Sequence, residues 1–257
     1  MDSQIILKIK NISKSFGGLK ALENFSFSVK TGQIHALIGP NGAGKTTLMN
    51  IIRGLETADF GEIIFKDKYI NKLSPDKRAK IGIARTFQNL ELFGEMTVLE
   101  NVMVGMYSKY ETGFIKSGLM LNNVRKLQKD IINKSLNILD YVGLNHRKNE
   151  YAKNLPVGEQ RLLEIARAIA TDPILMLLDE PAAGLNIRET KNLSILIKNL
   201  KEEKQITLLI VEHDMELIMG ISDTITVLNF GKVIAEGNPL SIQKNPDVIT
   251  AYLGEED

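Results

Sequence analysis

The chain contains 257 residues, 44% of them hydrophobic and 25% charged, which is the composition of an ordinary globular protein. Its 32 Lys and Arg residues nearly balance its 31 Asp and Glu residues, and this balance argues against a dedicated nucleic-acid-binding protein. Cysteine is absent, so disulfides and Cys-based zinc or iron–sulfur sites are excluded. Because the sequence has no run of about 18 apolar residues and no signal-peptide pattern, we expect a chain that cannot span a bilayer by itself.

The first quarter of the chain is predicted to form β-strands that lead into a helix. Alternation of apolar and polar residues over 5–9 and 25–29 predicts short antiparallel strands. A strand over 35–38 runs directly into a glycine-rich turn, and the helix that follows, from 45 to 53, is ended by a glycine. A further strand is predicted over 62–65.

Between about 89 and 155 the pattern changes to helix. Residues 98–107 form one candidate helix, and a second begins near Val124. The second helix carries an apolar stripe at helical spacing, formed by Leu127, Ile131, Ile132, Leu136 and Leu139. Basic residues outnumber acidic ones between 116 and 153, and either a solvated helix face or a docking surface would account for this excess.

Strand–helix alternation returns after residue 156. The predicted elements are a helix over 158–170, a buried strand over 174–178, a helix over 188–201, a buried strand over 206–211, a hairpin around 229–231 and a last helix from 245 to 254. Continuously apolar strands that alternate with helices indicate a mainly parallel sheet covered on both faces. The sequence therefore predicts an α/β core that a helical segment interrupts.

The strongest functional signal lies at 39–46, which matches G-x-x-x-x-G-K-[ST] between a predicted strand and a predicted helix. In such a loop the glycines let consecutive backbone N–H groups point at phosphate oxygens, and the helix N-terminus adds a favourable field. Lys45 is expected to reach the β- and γ-phosphates, and the Thr46 hydroxyl to ligate Mg²⁺. The predicted phosphate loop, 39–47, comprises Gly39, Pro40, Asn41, Gly42, Ala43, Gly44, Lys45, Thr46 and Thr47.

A second signal is the acidic pair Asp179-Glu180, which follows the buried strand predicted over 174–178. Ligands of open α/β sheets bind at the carboxyl ends of the strands, where this pair would lie. Consecutive residues point to opposite sides, so the two carboxylates are free to take different roles. We expect Asp179 to ligate Mg²⁺ and Glu180 to orient or deprotonate an attacking water.

The order of the motifs resembles that of the ATP-binding cassette (ABC) ATPases over essentially the whole chain. After the phosphate loop come Arg85-Thr-Phe-Gln-Asn, Leu155-Pro-Val-Gly-Glu-Gln, Asp179-Glu180, Ala183-Gly-Leu-Asn and Val211-Glu-His-Asp. They stand where that family has its Q-loop, its signature, its catalytic acids, its D-loop and its switch histidine.

The resemblance implies a P-loop NTPase (RecA-like) fold, with a mainly parallel sheet, an N-terminal antiparallel β subdomain and an inserted α-helical subdomain. A single ABC ATPase domain would then span residues 1–257. Its catalytic core would comprise 1–88 and 158–257, and its helical subdomain, with the signature region, 89–157.

The resemblance also assigns roles to single residues. Phe16 stands where the family stacks an aromatic ring on adenine. Gln88 would sense the γ-phosphate and contact Mg²⁺ and water, and it would act in catalysis together with Glu180 and His213. ATP and Mg²⁺ are therefore the implied ligands.

The signature departs from the family pattern, because Pro156-Val157 precedes Gly158 where most members have Ser-Gly. The usual serine hydroxyl is therefore absent, and the resemblance leaves Gly158 and Glu159 to bind the nucleotide through a helix N-terminus. In this family the signature of one subunit faces the ATP of a second. Whether both sites of such a dimer are equally active is left open.

Within the family, the sequence is most similar to the ATPases of branched-chain amino acid importers, at 180–186, 212–222 and 245–255. This similarity implies a Mg²⁺-dependent ATPase at the cytoplasmic face of the cell membrane that couples hydrolysis to transport. The implied partners are integral membrane permease subunits, a second ABC ATPase subunit and, indirectly, an extracytoplasmic substrate-binding protein. A heterodimer is favoured over a homodimer, and no nucleic acid is expected.

Other functions within the family remain open at this point. They are the ATPase of a lipid or lipopolysaccharide exporter, a soluble non-transporter ABC ATPase, and a regulatory module with little turnover. The apolar stretch 113–121 has two interpretations as well. It packs internally, which we favour, or it helps to dock a membrane subunit.

Overall fold

The computed structural model describes residues 4–86, 91–107 and 121–253 of the chain. The strands are β1 Ile5–Phe16, β2 Leu19–Lys30, β3 Ile34–Ile38, β4 Phe60–Phe65, β5 Lys68–Tyr69, β6 Ile83–Arg85, β7 Leu175–Asp179, β8 Thr207–Val211, β9 Thr224–Asn229 and β10 Lys232–Gly237. The helices are α1 Lys45–Arg53, α2 Pro75–Lys80, α3 Val98–Tyr107, α4 Leu121–Tyr141, α5 Val157–Ala170, α6 Ile187–Glu202, α7 Met215–Ile221, α8 Pro239–Gln243 and α9 Pro246–Leu253.

The smaller sheet is antiparallel, in the order β2-β1-β4-β5. β1 and β2 pair from Ile5 opposite Lys30 to Phe16 opposite Leu19, so the hairpin is longer than the strands predicted at 5–9 and 25–29. The halves next to the turn, 10–16 and 19–24, are mostly polar and partly exposed. Backbone pairing continues there without a clear apolar pattern, and the sequence therefore marks the start of β1 and the end of β2 but not the halves beside the turn.

The larger sheet has the order β10-β9-β3-β8-β7-β6. Neighbouring strands from β9 to β6 are parallel, and β10 pairs with β9 in the antiparallel direction. The predicted mainly parallel sheet is thus confirmed. The carboxyl ends of β3, β8, β7 and β6 lie side by side, and we call this side of the sheet, with the segments that follow these strands, the carboxyl edge.

Both faces of the larger sheet are covered, as predicted. Along β7, Leu175 and Leu177 enter the hydrophobic cluster formed with α1 and the smaller sheet. Met176 and Leu178 point the other way, into the cluster that contains residues of α5 and α6. All four side chains are fully buried, which explains why this strand is apolar throughout.

The helical segment packs against α5. α3, α4 and α5 contact one another, and Gly105 of α3 lies so close to the carbonyl oxygen of Arg167 that a Cβ would overlap it. The predicted stripe of α4 is confirmed in part: Ile131 and Leu139 are fully buried and Leu127 packs against the core, whereas Ile132 and Leu136 are only half-buried. Within the described ranges, no helix combines the length and the apolar character that a membrane span needs. Residues 113–120 of the apolar stretch lie outside those ranges.

Several short elements were not predicted, namely β5, β6, α2, α7 and α8. They are two to seven residues long, too short for a repeating apolar pattern to distinguish them from loops. α2 is stabilised by a tertiary contact: the buried Arg78 donates hydrogen bonds to the carbonyl oxygens of Ile51 and Ile52 near the end of α1. Contacts of this kind leave no local signal in the sequence. The predicted end of the last helix, Gly254, lies outside the described residues.

Candidate functional site at the carboxyl edge

The phosphate loop connects β3 to α1, and its glycines determine its shape. Gly39, Gly42 and Gly44 have φ angles of 151°, 76° and 106°, values that residues with side chains rarely adopt. A Cβ on Gly39 would overlap the carbonyl oxygen of Leu228, and one on Gly44 would overlap that of Ala21. The loop therefore needs glycine for close backbone approach as well as for conformation.

Hydrogen bonds hold the loop and its lysine in place. The Gly231 N–H, in the turn between β9 and β10, donates to the Ala43 carbonyl oxygen at 2.9 Å. The buried Lys45 side chain donates from Nζ to the carbonyl oxygens of Gly39, at 2.5 Å, and Pro40, at 2.7 Å. The ammonium group is thus kept against the loop that is predicted to bind phosphate.

The first turn of α1 faces solvent next to this lysine. Thr46 is exposed and Thr47 is half-buried. Gly44 stands at the N-cap and has no side chain with which to accept the N–H groups of the first turn. Such N–H groups have no partner within their helix, so they suit an anion, and the positive end of the helix dipole strengthens this preference.

Asp179, the last residue of β7, is buried against a cation. Arg53 Nη2 contacts Asp179 Oδ2 at 3.0 Å and also donates to the Thr86 carbonyl oxygen at 3.0 Å. Burial raises the pKa of Asp179, the Arg53 guanidinium opposes that change, and the Glu180 carboxylate adds to it. Arg53 therefore links the end of α1, the end of β7 and the residue that follows β6.

Glu180 turns away from β7 toward His213. Its φ angle is 48°, a left-handed conformation that is uncommon for a residue with a side chain. Its N–H donates to the Val211 carbonyl oxygen at 2.8 Å, and its Oε1 lies 3.0 Å from His213 Nε2. The Glu180 side chain is 22% exposed and that of His213 is 46% exposed. The two groups therefore form a pair that water can reach.

Glu212 was not predicted as a functional residue, although it stands beside His213. The side chain is buried, and its carboxylate accepts from the backbone N–H groups of Ala182, His213 and Asp214. In the sequence Glu212 served only as a marker of subfamily similarity. A carboxylate that directly follows a buried strand and directly precedes a candidate catalytic histidine is the signal that could have identified it.

Phe16 lies in the smaller sheet, at the end of β1. Its side chain is 46% exposed, and Lys14 Nζ stands 5.1 Å from the centre of its ring. The same ammonium group pairs with Glu56 and Asp59 at 3.6 Å. An exposed aromatic ring whose neighbour is fixed in this way is a suitable surface for stacking a base.

The predicted signature residues lie at the start of α5, apart from the phosphate loop. Gly158 is packed so closely against α6 that a Cβ would lie 2.6 Å from Glu189 Oε1. Glu159 pairs with Arg147 at 3.2 Å. The described contacts of Gly158 and Glu159 are thus with neighbouring segments of the same chain. Gln88 lies outside the described residues.

The carboxyl edge therefore brings together the phosphate loop after β3, Asp179 and Glu180 at the end of β7, and His213 after β8. The strand, the glycine loop and the helix suit a chain of phosphates, and an acidic pair and a histidine lie at the same edge. This combination defines a P-loop NTPase.

Comparison with known proteins narrows this class. A family model described as "ABC transporter" matches residues 22–183, and one described as "Branched-chain amino acid ATP-binding cassette transporter" matches residues 232–257. The high-affinity branched-chain amino acid transport ATP-binding protein LivG of Escherichia coli is 44% identical, and the match covers 98% of this chain and 99% of LivG. The corresponding protein BraF of Pseudomonas aeruginosa is 42% identical, with the same coverage.

Solved structures of ABC transporter cassettes are similar to this chain as well. MJ1267, an ATP-binding cassette of an ABC transporter in its ADP conformation, superimposes with a TM-score of 0.85 at 34% identity, covering 98% of this chain and all of MJ1267. The dimeric bacterial ABC transporter cassette MJ0796 gives a TM-score of 0.78 at 29% identity, covering 91% of this chain and 99% of MJ0796. The chain belongs to the ABC transporter family, and it is an ATP-binding and ATP-hydrolysing component of a transporter.

Proposed function

We propose that this chain is the ATPase subunit of an importer for branched-chain amino acids. The observation that carries the proposal is the C-terminal match at 232–257 to the branched-chain amino acid group. The described part of this segment forms β10, which begins at the turn beside the phosphate loop and runs to the opposite end of the sheet, and then α8 and α9. ATP chemistry does not require similarity there, so the match reflects the kind of transporter rather than the nucleotide.

Nucleotide binding is assigned to the phosphate loop and to Phe16. The backbone N–H groups at the start of α1 would bind the phosphates, with Lys45 Nζ moving from the loop carbonyl oxygens to the β- and γ-phosphates. The Phe16 ring would stack on adenine. Base–aromatic stacking contributes about 1–3 kcal/mol in other proteins.

Hydrolysis is assigned to Glu180 and His213. Glu180 would orient the attacking water and accept its proton, because its carboxylate is partly exposed at the same edge of the sheet as the phosphate loop. His213 Nε2, 3.0 Å from Glu180 Oε1, would hold that carboxylate and contact the γ-phosphate. Gln88 would complete the set by contacting the water and Mg²⁺.

The residues present fit a magnesium ion that is held mostly by water and phosphate. Within the described part of the chain, no cluster of three or more His, Cys, Asp or Glu residues could bind a metal by itself. Mg²⁺ in nucleotide sites typically has one or two protein ligands and several waters, and Thr46, Asp179 and Gln88 would supply that protein share. When bound, the ion would neutralise charge on the β- and γ-phosphates.

A partner ATPase is assigned to the signature region. Gly158 and Glu159 at the start of α5 would face the nucleotide of a second cassette subunit, with a heterodimer favoured. The division into a catalytic core, 1–88 and 158–257, and a helical subdomain, 89–157, belongs to this proposal. The dimeric cassette MJ0796 supports the general arrangement.

The chain would lie at the cytoplasmic face of the cell membrane, bound to permease subunits. An extracytoplasmic binding protein would deliver the amino acid to the permease. The transported molecule would not contact this subunit.

The test is reconstitution of transport. The chain would be copurified with its membrane partners from detergent-solubilised native membranes and placed in proteoliposomes containing ATP and Mg²⁺. We expect two multispanning proteins, a second cassette ATPase, and ATP-dependent uptake of labelled leucine that Glu180→Gln abolishes. Recovery of soluble partners alone, or uptake of lipid rather than leucine, would contradict the import function and leave the ATPase chemistry intact.

A further inference from the structure

Glu212 joins the segment that follows β7 to the loop that follows β8 through hydrogen bonds to the backbone of both. One carboxylate oxygen, Oε1, accepts from the Ala182 N–H at 2.7 Å. The other, Oε2, accepts from the His213 N–H at 2.7 Å and from the Asp214 N–H at 3.2 Å. The side chain is 4% exposed, so these three backbone donors solvate a charge that has little access to water.

The two segments carry the pair that is assigned to hydrolysis. Ala182 follows Glu180 by two residues, and His213 follows Glu212 directly. Apart from the side-chain contact, the Glu180 segment is held to β8 by its own N–H, which donates to the Val211 carbonyl oxygen at 2.8 Å. The bridge through Glu212 extends the connection between the two segments beyond the last paired residues of β7 and β8, Asp179 and Val211. Beyond that pair, Glu180 Oε1 lies 3.0 Å from His213 Nε2.

A carboxylate is the group that this position needs. Hydrogen bonds from N–H donors to an ionised oxygen are stronger than those to a neutral one. Glutamine would keep one accepting oxygen and turn an NH₂ group toward an N–H donor, so only one of the two segments would be held. Aspartate is shorter by one methylene and could reach only one of them.

We propose that Glu212 is a positioning residue for ATP hydrolysis, which holds the Glu180 segment and the His213 loop at the spacing that hydrolysis requires. The inference rests on the roles proposed above for Glu180 and His213. Glu212 acts through them, so its loss changes the rate of the chemical step and leaves nucleotide affinity nearly unchanged.

The test compares Glu212→Gln and Glu212→Asp with a matched control, Asp223→Asn. Asp223 also bridges two elements, because it accepts from the Ile34 N–H at 2.7 Å and from Lys201 Nζ, but it lies at the other end of the sheet. In the full-length chain we expect both Glu212 variants to lower kcat about tenfold or more. KM and the affinity for a fluorescent ATP analogue should stay within about threefold, and Asp223→Asn should keep kcat within about twofold.

A double-mutant cycle separates positioning from general destabilisation. If Glu212 acts through Glu180, adding Glu212→Gln to Glu180→Gln lowers the single-turnover rate by no more than about twofold. The inference is overturned if the rate losses of the two single variants multiply in the double variant, or if Glu212→Gln has a normal kcat. If Glu212→Gln does not fold, the same cycle is measured with Glu212→Asp. Normal hydrolysis by Glu180→Gln would instead overturn the proposed catalytic role itself.

Discussion

Polar groups lie at both ends of the parallel sheet, but the two ends use them differently. At the amino edge, where β3, β8 and β9 begin, Asp223 accepts from the Ile34 N–H and pairs with Lys201 at 2.6 Å. The Gly32 N–H donates to the Thr207 hydroxyl at 3.0 Å. These polar groups have partners inside the fold, although the Lys201–Asp223 pair is partly exposed and Gln205, just before β8, has a φ of 57°.

His35 shows this internal pairing most clearly. Thr226 donates its hydroxyl proton to Glu236 at 2.9 Å, so its oxygen accepts from His35 Nε2 at 2.8 Å. His35 Nδ1 then accepts from Gln33 at 2.9 Å. The network assigns a neutral imidazole with its proton on Nε2, and burial lowers the pKa of His35 to about 4.

The carboxyl edge is arranged for a ligand from outside. Glu180 adopts a left-handed backbone and remains partly exposed, and burial raises the pKa of Asp179. The phosphate loop has positive φ at successive glycines. The comparison teaches that, in one sheet, polar side chains at one end pair with each other, whereas at the other end a glycine-rich loop, an acidic pair and a histidine converge where a ligand can bind.

The largest expected effect is on stability and comes from Arg53→Met. This change leaves the buried Asp179 carboxylate without its cation, so we expect a loss of about 3–5 kcal/mol in the free energy of unfolding at pH 7. Lys201→Met at the amino edge removes the cation of a more exposed pair and should cost about 1 kcal/mol or less. Urea denaturation measures the free energy of unfolding of both variants. Equal losses in Arg53→Met and Lys201→Met would contradict the difference expected between the two ends of the sheet.

The next largest effect is a pH dependence of stability that arises from His35, near the amino edge. Since the pKa of His35 is lowered to about 4 in the fold, against about 6.5 when unfolded, the neutral form is favoured by folding. The stabilisation that neutral His35 gives to the fold is fully present above pH 6.5 and is lost as the pH falls toward 4. The free energy of unfolding should decrease by about 3 kcal/mol over this range. Stability measured between pH 7 and pH 4.5 should fall less steeply in His35→Gln. An unchanged slope would rule out this assignment.

Glu180→Gln at the carboxyl edge should slow ATP hydrolysis at least about 10²-fold, equivalent to about 2.7 kcal/mol in the activation barrier. ATP affinity should change little, because the amide keeps the size of the side chain. Phosphate release and equilibrium binding of ATP are the measurements. Asp223→Asn serves as the amino-edge control, and near-normal turnover by Glu180→Gln would remove the proposed base.

The smallest expected effect comes from Gly32→Ala at the amino edge. Gly32 has a φ of 73° with open space where a Cβ would be, so the left-handed conformation alone should cost about 1–2 kcal/mol. Gly44→Ala shares the positive φ but also drives a Cβ into the Ala21 carbonyl oxygen. We expect Gly44→Ala to lose clearly more stability and, unlike Gly32→Ala, to weaken ATP binding. Equal losses of stability in Gly32→Ala and Gly44→Ala would show that the close packing of Gly44 against the Ala21 carbonyl oxygen is not required.

Most elements of the core could be predicted because their signals are local. α3 begins at Val98 as predicted, and α6, predicted over 188–201, extends from Ile187 to Glu202. Its Asn186 N-cap and Glu189 form a reciprocal capping box, and buried apolar side chains recur at helical spacing. The phosphate loop was predicted for the same reason, since its glycines and lysine are adjacent in the chain.

The sequence by itself determined the strand–helix order, the phosphate loop and the acidic pair, because each depends on neighbours along the chain. Only the tertiary structure paired Arg53 with Asp179, 126 residues apart, and Glu212 with Ala182, 30 residues apart. An arginine in a helix and a glutamate after a strand have the same local pattern whether exposed or buried. Which partner neutralises a buried charge is decided by how the strands are ordered in the sheet, and side-chain periodicity carries no information about that order.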